Sequence, residues 1–490
     1  MAALNKKATA AAQPYLAPTL ADLGKVHFIG IGGAGMSAVA RILLGRGIPV
    51  AGSDLRDSAA LAQLGALGAT IHVGQQASHV ADADTVVVST AIRDSNVELQ
   101  AARRLGRRVL HRSQALAAAM AGDRVVAVAG THGKTTTTSM ATVMLKSAGV
   151  DASFAVGGTV QGLGVNAGHG TAAVFVAEAD ESDASFLNYR PHVAVVTNLE
   201  ADHLDHYGTA DAVVAAFEQF VGLLTPDGTL VACADDPGSN ALAAKAAAAG
   251  TRCLLYGFAE HAHIRLLPGS HEGLHTTAGV RILPPGVPEA KARTFELRLQ
   301  VPGNHNLSNA AAAVGVALAL DVDLPAALAA LAGFSGAARR FEFKGQAKEV
   351  SVYDDYAHHP TEVTAALKAA RTVAGPHQVH VLFQPHLFSR TREFAQEFAT
   401  ALDLADTVAV VDIYPAREDP IPGVSSELIT RSLRALPGYI PASGDAVRQL
   451  AAQAKPGDII LTVGAGDVTE LGAQLLTALQ SGAAEADADG

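Results

Sequence analysis

The chain has 490 residues and a formal net charge of −11, from 36 lysines and arginines against 47 aspartates and glutamates. At roughly 150 residues per domain, this length suggests about three domains. A hydrophobic content of 49% with 17% charged residues excludes a mostly disordered chain. The acidic balance argues against nucleic-acid binding, and the two cysteines, Cys233 and Cys253, cannot build a disulfide scaffold. We therefore expect a protein of the reducing cytoplasm.

The two ends of the chain are rich in alanine and small polar residues. Residues 1–20 have two lysines but no continuous apolar stretch, so we expect a disordered leader rather than a signal peptide. Residues 481–490 are expected to be a disordered tail. Nowhere do about 18 consecutive apolar residues occur, so the sequence predicts no membrane span.

The first block, residues 21–122, alternates strand-like and helix-like runs, as parallel α/β domains of the Rossmann type do. KVHFIG predicts the first strand, a helix is expected from Ala34 to Arg46, and IPVAGSD predicts the second strand. ATIHVG, DTVVVST and RRVLH continue the pattern. The class predicted for the whole chain is α/β.

A glycine loop joins the first strand to the first helix. Its sequence, GIGGAG at residues 30–35, matches G-x-G-x-x-G, in which a bare backbone approaches a diphosphate at a helix N-terminus. Asp54 ends the second strand, where an acid commonly bonds a ribose hydroxyl. The motif alone leaves NAD and a UDP-linked metabolite open as ligands.

The second block, residues 123–334, opens with the strand VVAVAG and a glycine–lysine loop. Backbone amides of such a loop wrap the β- and γ-phosphates of ATP, Lys134 adds a positive charge, and the Thr135 hydroxyl can coordinate Mg²⁺. The loop is shorter than G-x-x-x-x-G-K-[ST], because Val128 stands at the usual first glycine. The predicted ATP-binding residues here are Gly130, Thr131, His132, Gly133, Lys134, Thr135 and Thr136.

Acidic side chains follow two later strands of this block. Glu178 ends AAVFVAE, and His203 follows VAVVTNLEAD. Because ligands collect beyond the carboxyl ends of parallel strands, we expect Thr135, Glu178 and His203 around Mg²⁺. The alternative for His203 is a hydrogen-bonding residue behind the metal ligands. Residues 260–290 predict an elaborated loop or hairpin, and Leu307 to Leu320 predict a helix.

The third block, residues 335–480, has strand-like runs at VSVYDD, VHVLFQP, TVAVVDI and IILTVGAG, which predict a second Rossmann-like domain. The motifs GTHGKTTTT, EADESDASF, TNLEADHLDHY and GNHNLSNAAAA resemble those of the Mur ligases, the ATP-dependent amide-bond ligases of peptidoglycan synthesis. HFIGIGGAGMSAVA, RRFE and DDYAHHPTE are similar to the alanine-adding branch. The resemblance covers about residues 24–470.

The resemblance implies a UDP-sugar domain, a central P-loop ATPase domain and a C-terminal amino-acid domain that closes over the site. It implies UDP-N-acetylmuramate, L-alanine and ATP with Mg²⁺ as ligands, and so a role in building the cell wall. It also implies that His305 and Asn309 contact the ATP base and ribose, with a polar helix start as the alternative. The residues implied to bind the sugar nucleotide are Gly30, Gly32, Gly33, Gly35, Ser53, Asp54, Ser89 and Thr90.

The third block supplies the residues expected around L-alanine. A guanidinium grips a carboxylate through two bonds, so Arg390 is expected on the amino acid and Arg392 on it or on phosphate. His358 or His359 could accept a proton from the amine, with the alternative that one of them caps or packs beneath the loop. Tyr356 is expected beside them.

Three features of the sequence limit these expectations. Arg340, in the presumed second linker, could reach the γ-phosphate on closure, and its alternative is a solvated hinge charge. Leu387 and Phe388 replace an Arg-Tyr pair expected in many members. No lysine occurs between Lys146 and Lys245, so the carbamylated lysine of other branches is absent.

Three other functions stay open from the sequence. A murein tripeptide-recycling ligase of the same family would start from the same sugar nucleotide. The first glycine loop also occurs in NAD-dependent dehydrogenases, although GTHGKT argues against one. A binding protein that kept the fold without catalysis is the third.

Overall fold

The structure is a computed structural model that describes residues 18–416, 418–435 and 438–481. Most of the predicted leader and tail therefore lies outside the described residues. Within them, Leu20 begins a 3₁₀ turn and Ser481 ends the last helix.

The first block is a five-stranded parallel sheet with helices on it. Strand order is β3-β2-β1-β4-β5. Strand β1 reads VHFI and all four side chains are buried, so it lies in the centre. The elements are 3₁₀ Leu20–Leu23, β1 Val26–Ile29, α1 Ala34–Gly45, β2 Val50–Asp54, α2 Ala59–Ala66, β3 Thr70–Val73, 3₁₀ Ala77–Val80, β4 Thr85–Val88, α3 Val97–Arg104, β5 Arg108–His111 and α4 Arg112–Met120.

The second block contains parallel strands, and antiparallel strands follow them later in the chain. Strands β6, β7, β9, β10 and β11 pair in parallel, in the order β11-β10-β6-β9-β7. The elements are β6 Arg124–Ala129, α5 Lys134–Ser147, β7 Ser153–Val160, β8 Val165–Gly168, β9 Val174–Glu178, 3₁₀ Ser185–Asn188, β10 Val193–Val196, α6 Leu204–Tyr207, α7 Ala210–Val221, β11 Thr229–Cys233, α8 Pro237–Ala248, β12 Arg252–Gly257, β13 Ile264–Glu272, β14 His275–Ile282, 3₁₀ Glu289–Lys291, β15 Arg293–Leu299, α9 Asn304–Ala319 and α10 Leu324–Leu331.

The Pro/Gly/His-rich segment at 260–290 forms a hairpin, one of the two predicted structures. β13 and β14 pair antiparallel, with a bulge between Leu266 and Gly269, and β15 continues the pairing. A side chain at Gly269 would place its Cβ 2.1 Å from the Thr277 carbonyl oxygen, which explains the glycine at the bulge.

The third block is a six-stranded sheet in the order β16-β17-β21-β18-β19-β20, with only the β16–β17 pair antiparallel among the pairings described. Its elements are β16 Glu342–Ala347, β17 Val350–Asp355, α11 Pro360–Ala374, β18 Val379–Phe383, α12 Phe388–Glu393, α13 Ala395–Leu402, β19 Thr407–Val410, α14 Glu427–Thr430, β20 Gly438–Tyr439, α15 Ser443–Gln453, β21 Ile459–Val463, 3₁₀ Asp467–Glu470 and α16 Leu471–Ser481. Apolar residues fill both faces of this sheet.

The chain forms two compact units that do not coincide with the three blocks. Of the described residues, the first unit comprises those up to Lys134 together with Gly149–Gly157 and Val165–Leu254. The second comprises Thr135–Ala148, Gly158–Gly164 and the described residues from Leu255 onward. The predicted domain boundaries near 122 and 334 stay predictions. Among the described helices, none combines the length and apolar character needed to cross a bilayer.

Candidate functional site

The first glycine loop is tied to the end of strand β2. The amides of Gly30 and Ile31 donate to the Ser53 carbonyl oxygen at 2.8 and 3.0 Å. The Gly32 amide donates to the Asp54 carboxylate at 2.9 Å, and a Cβ on Gly32 would lie 2.9 Å from that carboxylate. Gly30 has φ +78°, which favours glycine. The loop therefore has a fixed shape, and Gly33 caps the helix that follows.

The side chains predicted to contact the sugar nucleotide lie in different surroundings. The Ser53 hydroxyl is buried and donates to Glu98 at 2.5 Å. Ser89 and Thr90 follow β4, where Thr90 is exposed. In this structure Ser53 and Asp54 both hold the loop, and their contacts with a ligand stay predictions.

The second glycine loop, residues 130–133, is held by Asn198 at the end of β10. The Asn198 side-chain oxygen accepts from the His132 amide at 2.8 Å, and its NH₂ group donates to the His132 carbonyl at 3.2 Å. Gly130 has φ +133°, and a Cβ there would lie 2.1 Å from the Thr197 hydroxyl. The loop is therefore braced from the neighbouring parallel strand, as the topology predicts.

The Lys134 ammonium is enclosed by acceptors. It donates to the carbonyl oxygens of Gly130 and Thr131 at 2.6 and 3.1 Å and to Glu181 at 2.8 Å. Burial would lower the pKa of Lys134, but the carboxylates of Glu181 and Asp180 outweigh it and raise the pKa above its usual value. Lys134 is therefore a cation at neutral pH, as a phosphate-binding lysine must be.

The acids after β9 carry strongly perturbed pKa values. Burial raises the pKa of Glu181 to about 7, although the Lys134 ammonium opposes the rise. Burial also acts to raise the pKa of Asp180, but Lys134 and Arg112 hold it at about 2. Displaced values of this kind are typical of functional sites.

Of the predicted metal ligands in the first unit, Glu178 is half-buried, and one of its oxygens accepts from the Gly157 amide at 2.7 Å. His203 has a left-handed backbone (φ +54°), and its Nε2 lies 3.7 Å from Glu181 and 3.6 Å from Asp202. These contacts fit the alternative in which His203 lies behind the ligands.

The second unit contains the rest of the predicted nucleotide-binding residues. Thr135 and Thr136 are buried at the start of α5, and Thr137 donates to the Asn309 amide oxygen at 3.1 Å. Asn309 in turn donates to Asn306 at 3.3 Å. Burial and the neighbouring Arg340 lower the pKa of His305 to about 4, so this imidazole is neutral at physiological pH.

Two consecutive arginines pack on one aromatic ring. The guanidinium carbons of Arg339 and Arg340 lie 4.9 and 5.2 Å from the Tyr356 ring centre. Arg339 donates to Asp354 at 3.0 Å and to the Gly464 carbonyl at 2.6 Å, so it serves the packing of the unit. Arg340 Nη2 lies 3.5 Å from the Thr135 hydroxyl, and its predicted contact with the γ-phosphate stays a prediction.

The two histidines after β17 have different environments. His358 Nδ1 lies 3.0 Å from the Tyr356 carbonyl and 3.3 Å from Glu362, both acceptors, so Nδ1 carries the proton and Nε2 keeps its lone pair. Burial, together with Arg390 and His386, lowers the pKa of His358 to about 3 despite Glu362. His359 is buried and accepts from the Thr361 amide at the start of α11. The capping alternative therefore describes His359.

The two arginines on α12 also differ. Arg390 is buried, with Nη1 3.5 Å from His386 Nδ1, whereas Arg392 is exposed. Leu387, one of the two departures, has a left-handed backbone (φ +71°). The predicted contact of Arg390 with the alanine carboxylate, and that of Arg392 with the carboxylate or with phosphate, stay predictions.

The sequence places Glu181 and Asn198 among the polar residues that follow β9 and β10 without giving either a specific role, and it gives no sign of Arg112. Glu181 pairs with Lys134, Asn198 braces the phosphate loop, and Arg112 donates to Asp180 at 2.9 Å. Glu181 and Asn198 each lie in a recognised motif. Arg112 had no such signal, because its partner is 68 positions away in the sequence.

Comparisons with known proteins place the chain in a family. The chain matches the models "Mur ligase family, catalytic domain" over residues 25–124, "Mur ligase middle domain" over 128–317 and "Mur ligase, glutamate ligase domain" over 339–466. It is 62% identical to the UDP-N-acetylmuramate–L-alanine ligase of Renibacterium salmoninarum, over 95% of this chain and 98% of the relative. The chain belongs to the Mur ligase family. This membership removes the dehydrogenase alternative.

Other members of the family are also similar to this chain in sequence or fold. The UDP-N-acetylmuramate–L-alanine ligase of Paenarthrobacter aurescens is 60% identical over 94% of this chain and 98% of the relative. The crystal structure of the Thermotoga maritima UDP-N-acetylmuramate–alanine ligase matches with a TM-score of 0.76 and 30% identity, over 94% of this chain and 99% of that one. A murein peptide ligase of Psychrobacter arcticus gives 0.68 and 27%, over 93% and 99%. The predicted three-domain α/β fold, with mostly parallel sheets, is confirmed.

Proposed function

We propose that this Mur ligase joins L-alanine to the lactyl carboxylate of UDP-N-acetylmuramate, with cleavage of ATP to ADP and phosphate, in peptidoglycan precursor synthesis. The observation that carries the proposal is that relatives 60–62% identical over 94–95% of the chain have this activity in their names. The product serves cell-wall growth, and through it cell shape and division. We expect the reaction in the cytoplasm, and the two free cysteines are compatible with that compartment.

In the first step the lactyl carboxylate attacks the γ-phosphorus of ATP, which gives an acyl phosphate and ADP. Both reactants are anions, so the enzyme must offset their repulsion. Lys134 supplies a cation that its acidic neighbours keep protonated. The amides of the 130–133 loop supply further donors, and Arg340 is the second cation that we assign to the transferred phosphoryl group.

The residues proposed for Mg²⁺ offer suitable atoms. Glu178 has a carboxylate and Thr135 a hydroxyl, which are the hard oxygen donors that Mg²⁺ prefers. The His203 imidazole suits the ion less well. The oxygen donors thus fit Mg²⁺, with Glu178 and Thr135 as the residues that would hold it. When bound, Mg²⁺ neutralises phosphate charge.

In the second step the uncharged amine of L-alanine attacks the acyl carbon, the C–N bond forms and the bond from that carbon to the phosphate oxygen breaks. The proton that the nitrogen loses leaves with the phosphate. We assign the alanine carboxylate to Arg390, because its guanidinium is buried and can make two parallel bonds. A pKa of about 3 makes His358 a poor proton acceptor. We therefore assign His358 Nε2 to orienting the amine by accepting a hydrogen bond from it.

Phosphate release from ATP tests the proposal directly. It is measured with UDP-N-acetylmuramate alone, L-alanine alone and both together, and we expect sustained release only with both. Equal release without the sugar nucleotide would contradict the mechanism, and no release under any condition would favour a binding protein.

The murein tripeptide-recycling ligase remains the second candidate, because the Psychrobacter arcticus murein peptide ligase shares the fold over 93% of this chain. The same assay with L-alanine, glycine, L-serine and the tripeptide separates the two. Turnover with the tripeptide only would replace our assignment.

A further inference from the structure

Arg112, the first residue of helix α4, lies where the first glycine loop and the acids after β9 meet. Its Nη2 donates to Asp180 at 2.9 Å. On its other side the guanidinium lies against Gly35, where an added Cβ would come within 2.4 Å of Nη1. One planar cation thus spans the distance from the start of helix α1 to the acidic segment that also holds Lys134.

A pocket of about 230 Å³ opens beside this arginine within the first unit. The residues that line it include Gly35, Arg112, Ser113, Glu178, Asp180 and Tyr189. Arg112 is the single cation among the described residues that line the pocket, and the lining also includes the carboxylates of Glu178 and Asp180. An oxyanion in this pocket therefore has Arg112 as its one cationic partner among these lining residues.

We propose that Arg112 is a substrate-binding residue that holds an oxyanion of the sugar nucleotide in this pocket. The inference rests on the proposed function, in which the muramyl group must run from the first glycine loop to the phosphoryl-transfer site. A guanidinium has five N–H donors, and the side-chain bond described for Arg112 uses only Nη2. The bound oxyanion is either the diphosphate or the lactyl carboxylate, since both accept two parallel bonds from a guanidinium.

Glycine at position 35 follows from the same arrangement. Gly35 does not have a positive φ, so its backbone conformation does not by itself require glycine. A methyl group there would instead push the guanidinium out of the pocket. We therefore expect Gly35→Ala to weaken sugar-nucleotide binding through Arg112.

The test is isothermal titration of UDP-N-acetylmuramate into the full chain without ATP or L-alanine, for wild type, Arg112→Gln and Arg112→Lys. We expect Arg112→Gln to raise Kd by roughly tenfold to a hundredfold, and Arg112→Lys to give a smaller rise because an ammonium cannot form two parallel bonds. UDP-N-acetylglucosamine, which lacks the lactyl group, forms the second arm. If Arg112→Gln weakens the binding of both nucleotides equally, Arg112 binds the diphosphate. If it weakens the binding of UDP-N-acetylmuramate alone, Arg112 binds the lactyl carboxylate.

The matched control is Arg46→Gln, which removes another partly buried arginine of the same unit that pairs with an aspartate, Asp123, at the far end of α1. We expect its Kd to stay near the wild-type value. If Arg112 has only a structural role, Arg112→Gln and Arg112→Lys will lower the Tm and leave the Kd for UDP-N-acetylmuramate unchanged. That result would overturn this inference but not the proposed function. Absence of wild-type binding would overturn the proposed function as well.

In turnover assays, we expect Arg112→Lys to raise KM for UDP-N-acetylmuramate with little change in KM for ATP. An equal rise in both constants would contradict a role confined to the sugar nucleotide.

Discussion

At the residue scale, Lys134 and Glu98 show how a buried charge is kept in place. Lys134 has Glu181 and two carbonyl oxygens around it. Glu98, fully buried, accepts from the Ser53 hydroxyl, the Gln76 amide and two histidines, His27 and His79. Lys134 belongs to the predicted phosphate-binding loop, whereas Glu98 fixes the end of strand β2 that holds the first glycine loop.

We expect Lys134→Ala to lower kcat for phosphate release by a factor of about 100 or more, comparable with the loss of a donor to a developing charge. The measurement is the coupled phosphate assay with saturating substrates. Lys146→Ala, in the last turn of the same helix, is the matched control and should retain activity. Comparable kcat values for the two variants would remove Lys134 from the transfer step.

Glu98→Gln is expected to destabilise the protein by roughly 1–3 kcal/mol at neutral pH, because donors now face a neutral amide. Burial alone would raise the pKa of Glu98, but hydrogen bonds from His27, Ser53 and His79 lower it below the usual value of 4.5. Because the folded-state pKa is depressed, this stabilisation is complete above the unfolded-state pKa and is lost as pH falls through the folded-state pKa.

Urea unfolding at neutral and acidic pH measures this effect. The free energies of unfolding of wild type and Glu98→Gln should converge as the pH is lowered. Glu397→Gln, at an exposed position in α13, should show no such convergence. A gap that stays constant with pH would contradict the sign derived above.

At the element scale, the turn between β6 and α5 depends on one glycine. A methyl group at Gly130 would meet the Thr197 hydroxyl at 2.1 Å and the Asn198 backbone at 3.0 Å, in a backbone conformation that L-residues avoid. Gly149 follows the same helix, also with positive φ (+90°), but nothing lies within 4 Å of its Cβ position. Comparing substitutions at Gly130 and Gly149 therefore separates the effect of a steric clash from the effect of a strained backbone.

We expect Gly130→Ala to raise KM for ATP at least tenfold, since displaced loop amides lose their alignment with the phosphates. Gly149→Ala should change stability by about 1 kcal/mol and leave KM for ATP unchanged. Similar KM values in the two variants would mean that the loop tolerates the contact with Thr197.

The start of α11 gives a second prediction at this scale. The His359 side chain accepts from the Thr361 amide, so His359→Ala should cost about 1 kcal/mol of stability and His359→Asn should restore most of it. The Tm values of the three proteins provide the measurement. Recovery of Tm without recovery of activity in His359→Asn would point to a catalytic role instead.

At the scale of the whole molecule, the sequence predicted what depends on neighbours along the chain. The first helix is predicted from Ala34 to Arg46 and spans Ala34–Gly45, and strands lie at the apolar runs named for each block. The sequence pattern does not predict β7, β8, β12, β15, β16 or β20. Contacts between distant segments could not be read in this way. Neither the Arg112–Asp180 bond nor the burial of Ser53 against Glu98 leaves a local pattern, because each depends on how separate elements pack.

Helix α1 shows what this packing means for the molecule. It lies against β8 of the second block, the Asn166 amide donates to the Ala34 carbonyl at 3.0 Å, and a Cβ at Gly45 would lie 2.7 Å from His169. Arg46, which directly follows α1, forms a salt bridge with Asp123. The first block is thus joined to parts of the second within one compact unit.

A chimaera that exchanges residues 18–122 for those of another family member must therefore import the matching partners from β8 and the segment after β9. Without them, the transplanted helix would meet a foreign surface at its first and last turns. The packing of α1 against these second-block segments, rather than the identity of the nucleotide-binding loop, would decide whether such a hybrid folds.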